Sequence, residues 1–142
     1  MKRLLSIVVF VLGFVSFVRA EHIKGGEMYY EYLGTGSAAN SSRYRITLKL
    51  YIDCNANNPG QIDAQIPFTV FDRGTGSQVG TTLTAPNTSE QFINYDPNSN
   101  PCITNPPNGV CYRIRWYSVT TELPNTVFGY TISYQRCCRI QN

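Results

Sequence analysis

Five cysteines and one histidine bound the covalent and metal chemistry open to this 142-residue chain. Cys54, Cys102, Cys111, Cys137 and Cys138 contain no Cys-x-x-Cys pair, and His22 is the only imidazole, so no zinc ligand set is assembled by spacing. The same histidine is the only base open to a Ser-His-Asp arrangement, and no Gly-x-Ser-x-Gly elbow occurs. Carboxylates are more plentiful. Glu27, Glu31, Asp53, Asp63, Asp72, Glu90, Asp96 and Glu122 could pair for glycoside cleavage, a chemistry decided by their separation in space. Asp53-Cys-Asn-Ala-Asn57 and Asp96-Pro-Asn-Ser-Asn100 alternate oxygen side chains as calcium loops do. Both lack the glycine and the bidentate glutamate that complete such a loop, and both read as polar turns. No cofactor or metal is expected.

The first twenty residues decide how the cysteines are read. Met1–Arg3 is basic, Leu4–Val18 is apolar except for Ser6, Gly13 and Ser16, and Val18-Arg19-Ala20 supplies small residues where a signal peptidase cuts. The apolar run falls short of the roughly 20 residues that cross a bilayer. Residues 1–20 are therefore expected to be a signal peptide, leaving 21–142 as a single domain, secreted or at the cell surface, with no membrane insertion after cleavage. Lys2, Arg3 and Arg19 leave with the signal, which takes the formal charge from +3 to zero. The basic balance belongs to export, and no nucleic-acid partner is expected.

Export also makes disulfides the default state of the thiols. Cys102 and Cys111 flank Asn-Pro-Pro-Asn-Gly, a turn that can bring the two sulfurs together. Closing that ring would stabilise the fold by about 2.7 kcal/mol on chain-entropy grounds. Cys137 and Cys138 are neighbours whose side chains point to opposite faces of a strand, so each is expected to take a different partner. Cys54, at a strand end, is the natural partner of one of them. Five is odd, so one thiol is left over.

The elements that must carry these residues are strands. Tyr44–Cys54 places Tyr44, Ile46, Leu48, Leu50, Ile52 and Cys54 on one face and Arg45, Thr47, Lys49, Tyr51 and Asp53 on the other. Within 110–121, Val110, Tyr112, Ile114 and Trp116 alternate with Cys111, Arg113, Arg115 and Tyr117; the more apolar set is expected to face inward. Phe128–Arg136 repeats the pattern, and shorter strands are expected at Glu27–Leu33, Ile66–Asp72, Gln78–Leu83 and Glu90–Asn94. Asp72–Ser77 reads as a hairpin loop, and 34–42, 55–60, 85–89 and 95–101 as polar breaks. With 11 glycines and 8 prolines interrupting the chain, about seven short strands predict an all-β fold: an antiparallel, immunoglobulin-like β-sandwich, disulfide-stapled. A closed barrel satisfies the same alternation. On the faces read as wet, Tyr51, Tyr117 and the pair Arg113 and Arg115, together with Trp116, are the candidate ligand contacts, able to stack on a sugar or grip a neighbouring domain.

His22-Ile-Lys-Gly-Gly-Glu-Met-Tyr-Tyr-Glu-Tyr-Leu-Gly34, the Tyr44–Cys54 strand, Pro101-Cys-Ile-Thr-Asn-Pro-Pro106 and Tyr134-Gln-Arg-Cys-Cys-Arg139 follow one another in this chain. Together they resemble the N-terminal module of large Bacteroidota surface proteins, which carry immunoglobulin- or PKD-like repeats and a gliding-motility-associated or type IX secretion sorting domain. The resemblance implies a non-enzymatic structural or adhesive module whose partners are adjoining repeat domains or a surface glycan or protein. Relatives often have Cys where this chain has Tyr32, and they continue past Arg139, which leaves 21–142 open to truncation at its C-terminus. The alternatives are a stand-alone carbohydrate-binding module using Tyr51, Tyr117 and Trp116, and, third, a small secreted glycoside hydrolase.

Overall fold

The computed structural model describes residues 23–54, 62–94 and 111–136. Within them the period-two pattern becomes six strands: β1 (Ile23–Thr35), β2 (Ser41–Asp53), β3 (Gln65–Asp72), β4 (Leu83–Asn94), β5 (Cys111–Pro124) and β6 (Tyr130–Ser133). Every pairing is antiparallel, and the hydrogen-bonded order is β1-β2-β5-β4-β3-β6. The fold is all-β and antiparallel, as the alternation predicts.

The sheet curls over its own inner face. β2 and β3 are not neighbours in it, yet Ile46, Leu48 and Leu50 of β2 share one buried cluster with Ile66 and Phe68 of β3, Ala85 of β4 and Tyr117 of β5. β4 makes the corner. Leu83–Pro86 pairs with β3, whereas the stretch from Asn87 to Asn94 pairs with β5 through a register shift between Asn87 and Ser89. Pro86 has no N–H to leave unsatisfied there. The Asn87 side-chain amide donates to the carbonyls of Ser89 (2.9 Å) and Trp116 (3.1 Å), so polar side chains stand in for ladder bonds at the bend. The 85–89 stretch, expected as a break, is therefore the bent middle of a strand.

Two further expectations change. Asp72–Ser77 does fold back as a hairpin turn, with the Val79 N–H donating to the Val70 carbonyl at 2.8 Å, but of Gln78–Leu83 only an isolated bridge between Phe71 and Gln78 and the start of β4 are regular. In Phe128–Arg136 only the four residues of β6 are strand.

The faces of β5 are inverted relative to the sequence reading. Register sets Tyr117 opposite Leu48 and Arg115 opposite Leu50, and directly opposed residues share a face. Tyr117 is 1% exposed and sits in the core, and Arg115 is buried beside it. Trp116 lies across from Lys49 on the outer face and is half-buried.

The covalent link is also different. Asp53 pairs with Tyr112, so the next step of the register brings Cys54 to Cys111, with Cα atoms 5.3 Å apart and the sulfurs bonded. The Cys54 N–H donates to the Cys111 carbonyl at 3.2 Å. Cys111 thus has no sulfur valence for Cys102, and Cys54 none for Cys137 or Cys138. The strand register, rather than the nearby proline turn, selects the pair. Cys102, Cys137 and Cys138 lie outside the described residues, as do His22 and the Asp96–Asn100 turn.

β1 departs from the pattern of the other long strands. It is bonded to β2 along its length, but none of its thirteen residues is buried. Met28, Tyr29, Tyr30 and Tyr32 are all exposed, Tyr30 at 68%.

Candidate functional site

The five residues expected to meet a ligand divide between the two faces of the sheet. On the outer face, Lys49 of β2 sits between two rings, its Nζ 5.1 Å from the centroid of Tyr51 and 5.7 Å from that of Trp116. Glu27 of β1 closes the group: its Oε1 lies 2.7 Å from Lys49 Nζ and accepts the Tyr51 hydroxyl at 3.1 Å. Farther along the same face Arg45 pairs with Glu31 at 3.0 Å. These are cross-strand pairs in water, and each contributes little to stability.

Their electrostatics are directional. Hydrogen bonds from Lys49 and then Tyr51 hold the Glu27 carboxyl below the usual range, and the bond to Glu27 raises the Lys49 ammonium. A depressed carboxyl stabilises above its unfolded pKa and loses that effect as pH falls through its folded value. A raised ammonium stabilises below its unfolded pKa and loses it as pH rises through its folded value. The outer-face group therefore holds together from mild acid into the alkaline range. In an NMR titration Glu27 is expected to titrate below an ordinary glutamate and to move back up in Lys49→Gln. An unchanged Glu27 midpoint in that variant would break the assignment.

On the inner face, Arg113, Arg115 and Tyr117 form a structural network. Arg115 Nη1 donates to the Asp63 carbonyl at 2.7 Å and to the Tyr117 hydroxyl at 3.1 Å, while that hydroxyl donates to the same carbonyl at 2.9 Å. Burial pushes the Tyr117 phenol up. The Glu90 carboxylate lies 2.9 Å from Arg115 Nε and 3.3 Å from Arg113 Nε, off the N–H directions, so these contacts are ionic without being aligned hydrogen bonds. Arg113 stacks over Phe92 at 4.7 Å, and Arg136 pairs with the Asp63 carboxylate. Tyr117, expected on a wet face, is engaged in the core and does not join Tyr51 and Trp116.

A third arrangement was not foreseen from the sequence. Where the curl brings β1 round to β6, Tyr30, Tyr44, Arg73, Leu123, Gly129, Tyr130 and Ile132 line an open hollow of about 240 Å³. Tyr44 packs edge-on to Tyr30 at 6.1 Å and tilted to Tyr32 at 5.7 Å. The Tyr130 hydroxyl donates to the Pro124 carbonyl, and the Arg73 N–H donates to the Gly129 carbonyl at 3.1 Å. Gly129 takes φ 72°, a conformation that side chains rarely adopt, to turn the chain into β6. In the sequence Tyr44 and Tyr130 read as inward residues and Arg73 as part of a hairpin loop; nothing local marks them as neighbours.

No protein family, curated protein or solved structure matches the chain.

Proposed function

We propose that the chain is a non-enzymatic structural or adhesive module that acts outside the cell, after loss of residues 1–20, at the head of a longer Bacteroidota-type surface protein. The observation that carries this reading is β1, a thirteen-residue strand anchored to β2 on one edge while Tyr29, Tyr30 and Tyr32 stand in solvent. Tyr30 and Tyr32 stand opposite Ile46 and Tyr44 on one face of β1 and Tyr29 stands opposite Thr47 on the other, so both faces of the strand offer exposed aromatic area, and tyrosine suits a contact because it combines apolar area with a hydroxyl. On this reading the curled sheet is an immunoglobulin-like sandwich in which β4 passes from one layer to the other. Its exposed strand meets an adjoining repeat, a surface protein or a glycan. The carbohydrate-binding alternative draws on Tyr51 and Trp116, which flank Lys49 on the outer face.

The test joins location to contact. In the source cell, the surface and medium fractions are expected to contain the chain beginning at Glu21. Purified chain is expected to bind the surface of those cells, and Tyr29→Ser with Tyr32→Ser is expected to lose at least about tenfold in affinity while keeping its thermal midpoint. Retention inside the cell with Met1 intact, or surface binding untouched by the double substitution, would overturn the proposal.

A further inference from the structure

We infer that the hollow between β1 and β6 receives one hexuronate ring of an acidic polysaccharide. The inference names the ligand class of the adhesive module and rests on that reading. Its basis is the combination of rings, charge and size at one place. Leu123 is buried beneath the hollow, Ile132 is half-buried, and Arg73 is exposed at its margin. Tyr44 is held on β2, and Tyr130 is fixed by its bond to Pro124, so two rings are positioned before any ligand arrives. Aromatic faces are electron-rich and take the electron-poor C–H face of a pyranose, while phenol hydroxyls meet its oxygens.

Charge selects among sugars. Among the described residues Arg73 is the only formally charged one lining the hollow, and no carboxylate of theirs lies within ion-pair distance of it. The neighbouring acid, Asp72, directs its Oδ1 to the amides of Gly74 and Thr75, at 2.8 Å each. A guanidinium left with free donors beside stacked rings matches a ligand that carries a planar carboxylate on a ring. The volume of about 240 Å³ is below the range of drug-sized pockets, which suits one unadorned six-membered ring of a chain that continues into solvent. Nonulosonic acids, with their glycerol and acylamino arms, need more room.

Titration of the intact exported chain with the trisaccharides of galacturonate, mannuronate and guluronate, each against its methyl ester, tests this. At least one acid is expected to bind, its ester at least about tenfold more weakly. Arg73→Gln should lose the same factor for the acid and nothing for the ester, Arg73→Lys should fall between, and Tyr30→Ala should weaken acid and ester alike. Both side chains are exposed, so these variants keep the fold. Equal binding of acid and ester, wild-type affinity in Arg73→Gln, or no binding of any trimer would overturn the inference. If cell-surface binding persists in Arg73→Gln but still fails with Tyr29 and Tyr32 replaced, the uronate assignment falls and the adhesive reading stands.

Discussion

Replacing both Cys54 and Cys111 with serine is expected to lower the free energy of unfolding by about 4 kcal/mol. The two cysteines are 57 residues apart, so the bond removes the entropy of a long loop from the unfolded chain. A domain of this size has about 5–15 kcal/mol in total, so the loss is a large part of its stability. The double substitution is preferable to a single one, because one liberated thiol could exchange with the remaining cysteines. Urea unfolding of the oxidised protein and the variant measures the difference. A loss below about 1 kcal/mol, or a tryptic map joining Cys111 to Cys102, would refute the assignment.

Glu90→Gln is expected to cost about 2–3 kcal/mol, less than the full penalty for breaking a buried pair because its side chain is 29% exposed. Glu90 is the counter-charge to two guanidinium groups, and the amide would leave Arg113 and Arg115 side by side on the inner face of β5 without it. Arg115→Met should be milder: Tyr117 keeps its bond to the Asp63 carbonyl, and Glu90 keeps Arg113. The two substitutions should couple, with Glu90→Gln costing less in the Arg115→Met background. Additive losses in that cycle, or a Glu90→Gln protein within about 0.5 kcal/mol of the parent, would show that the carboxylate does not hold the pair.

What the sequence makes legible here is local, and what it hides depends on register and curl. The alternation of Ile46, Leu48 and Leu50 with Arg45, Thr47 and Lys49 identifies the inner face of β2 correctly, because one face of that strand is apolar and the other polar. β5 offers no such contrast. Tyr112, Ile114 and Trp116 are more hydrophobic than Arg113, Arg115 and Tyr117, and hydrophobicity alone turns the strand the wrong way round. The polar set faces inward because Asp63 and Glu90 satisfy it there, and neither partner is near it in sequence. The cysteine pairing fails for the same reason: proline-turn chemistry favours the nearby Cys102, whereas the β2–β5 register delivers Cys54. Ala85–Ser89 has the composition of a loop, and the corner in β4 uses that composition within a continuous strand. The tyrosine hollow is the least legible feature. Tyr30, Tyr44, Arg73, Leu123 and Tyr130 come together only because the sheet curls until its first and last strands approach.

The Cys54–Cys111 bond also governs how the fold answers tension. Under tension applied between the ends of the chain, load follows the covalent path, and that path runs through the sulfurs, bypassing the chain between them. β3 and β4 lie inside the bypassed ring, while β1, β2, β5 and β6 lie outside it. Pulling can therefore strip β1 from β2 and lengthen the chain, but about 190 Å of contour stays locked until the disulfide is reduced. The redox state of this one pair thus sets how far the pulled chain can extend as well as how stable its fold is.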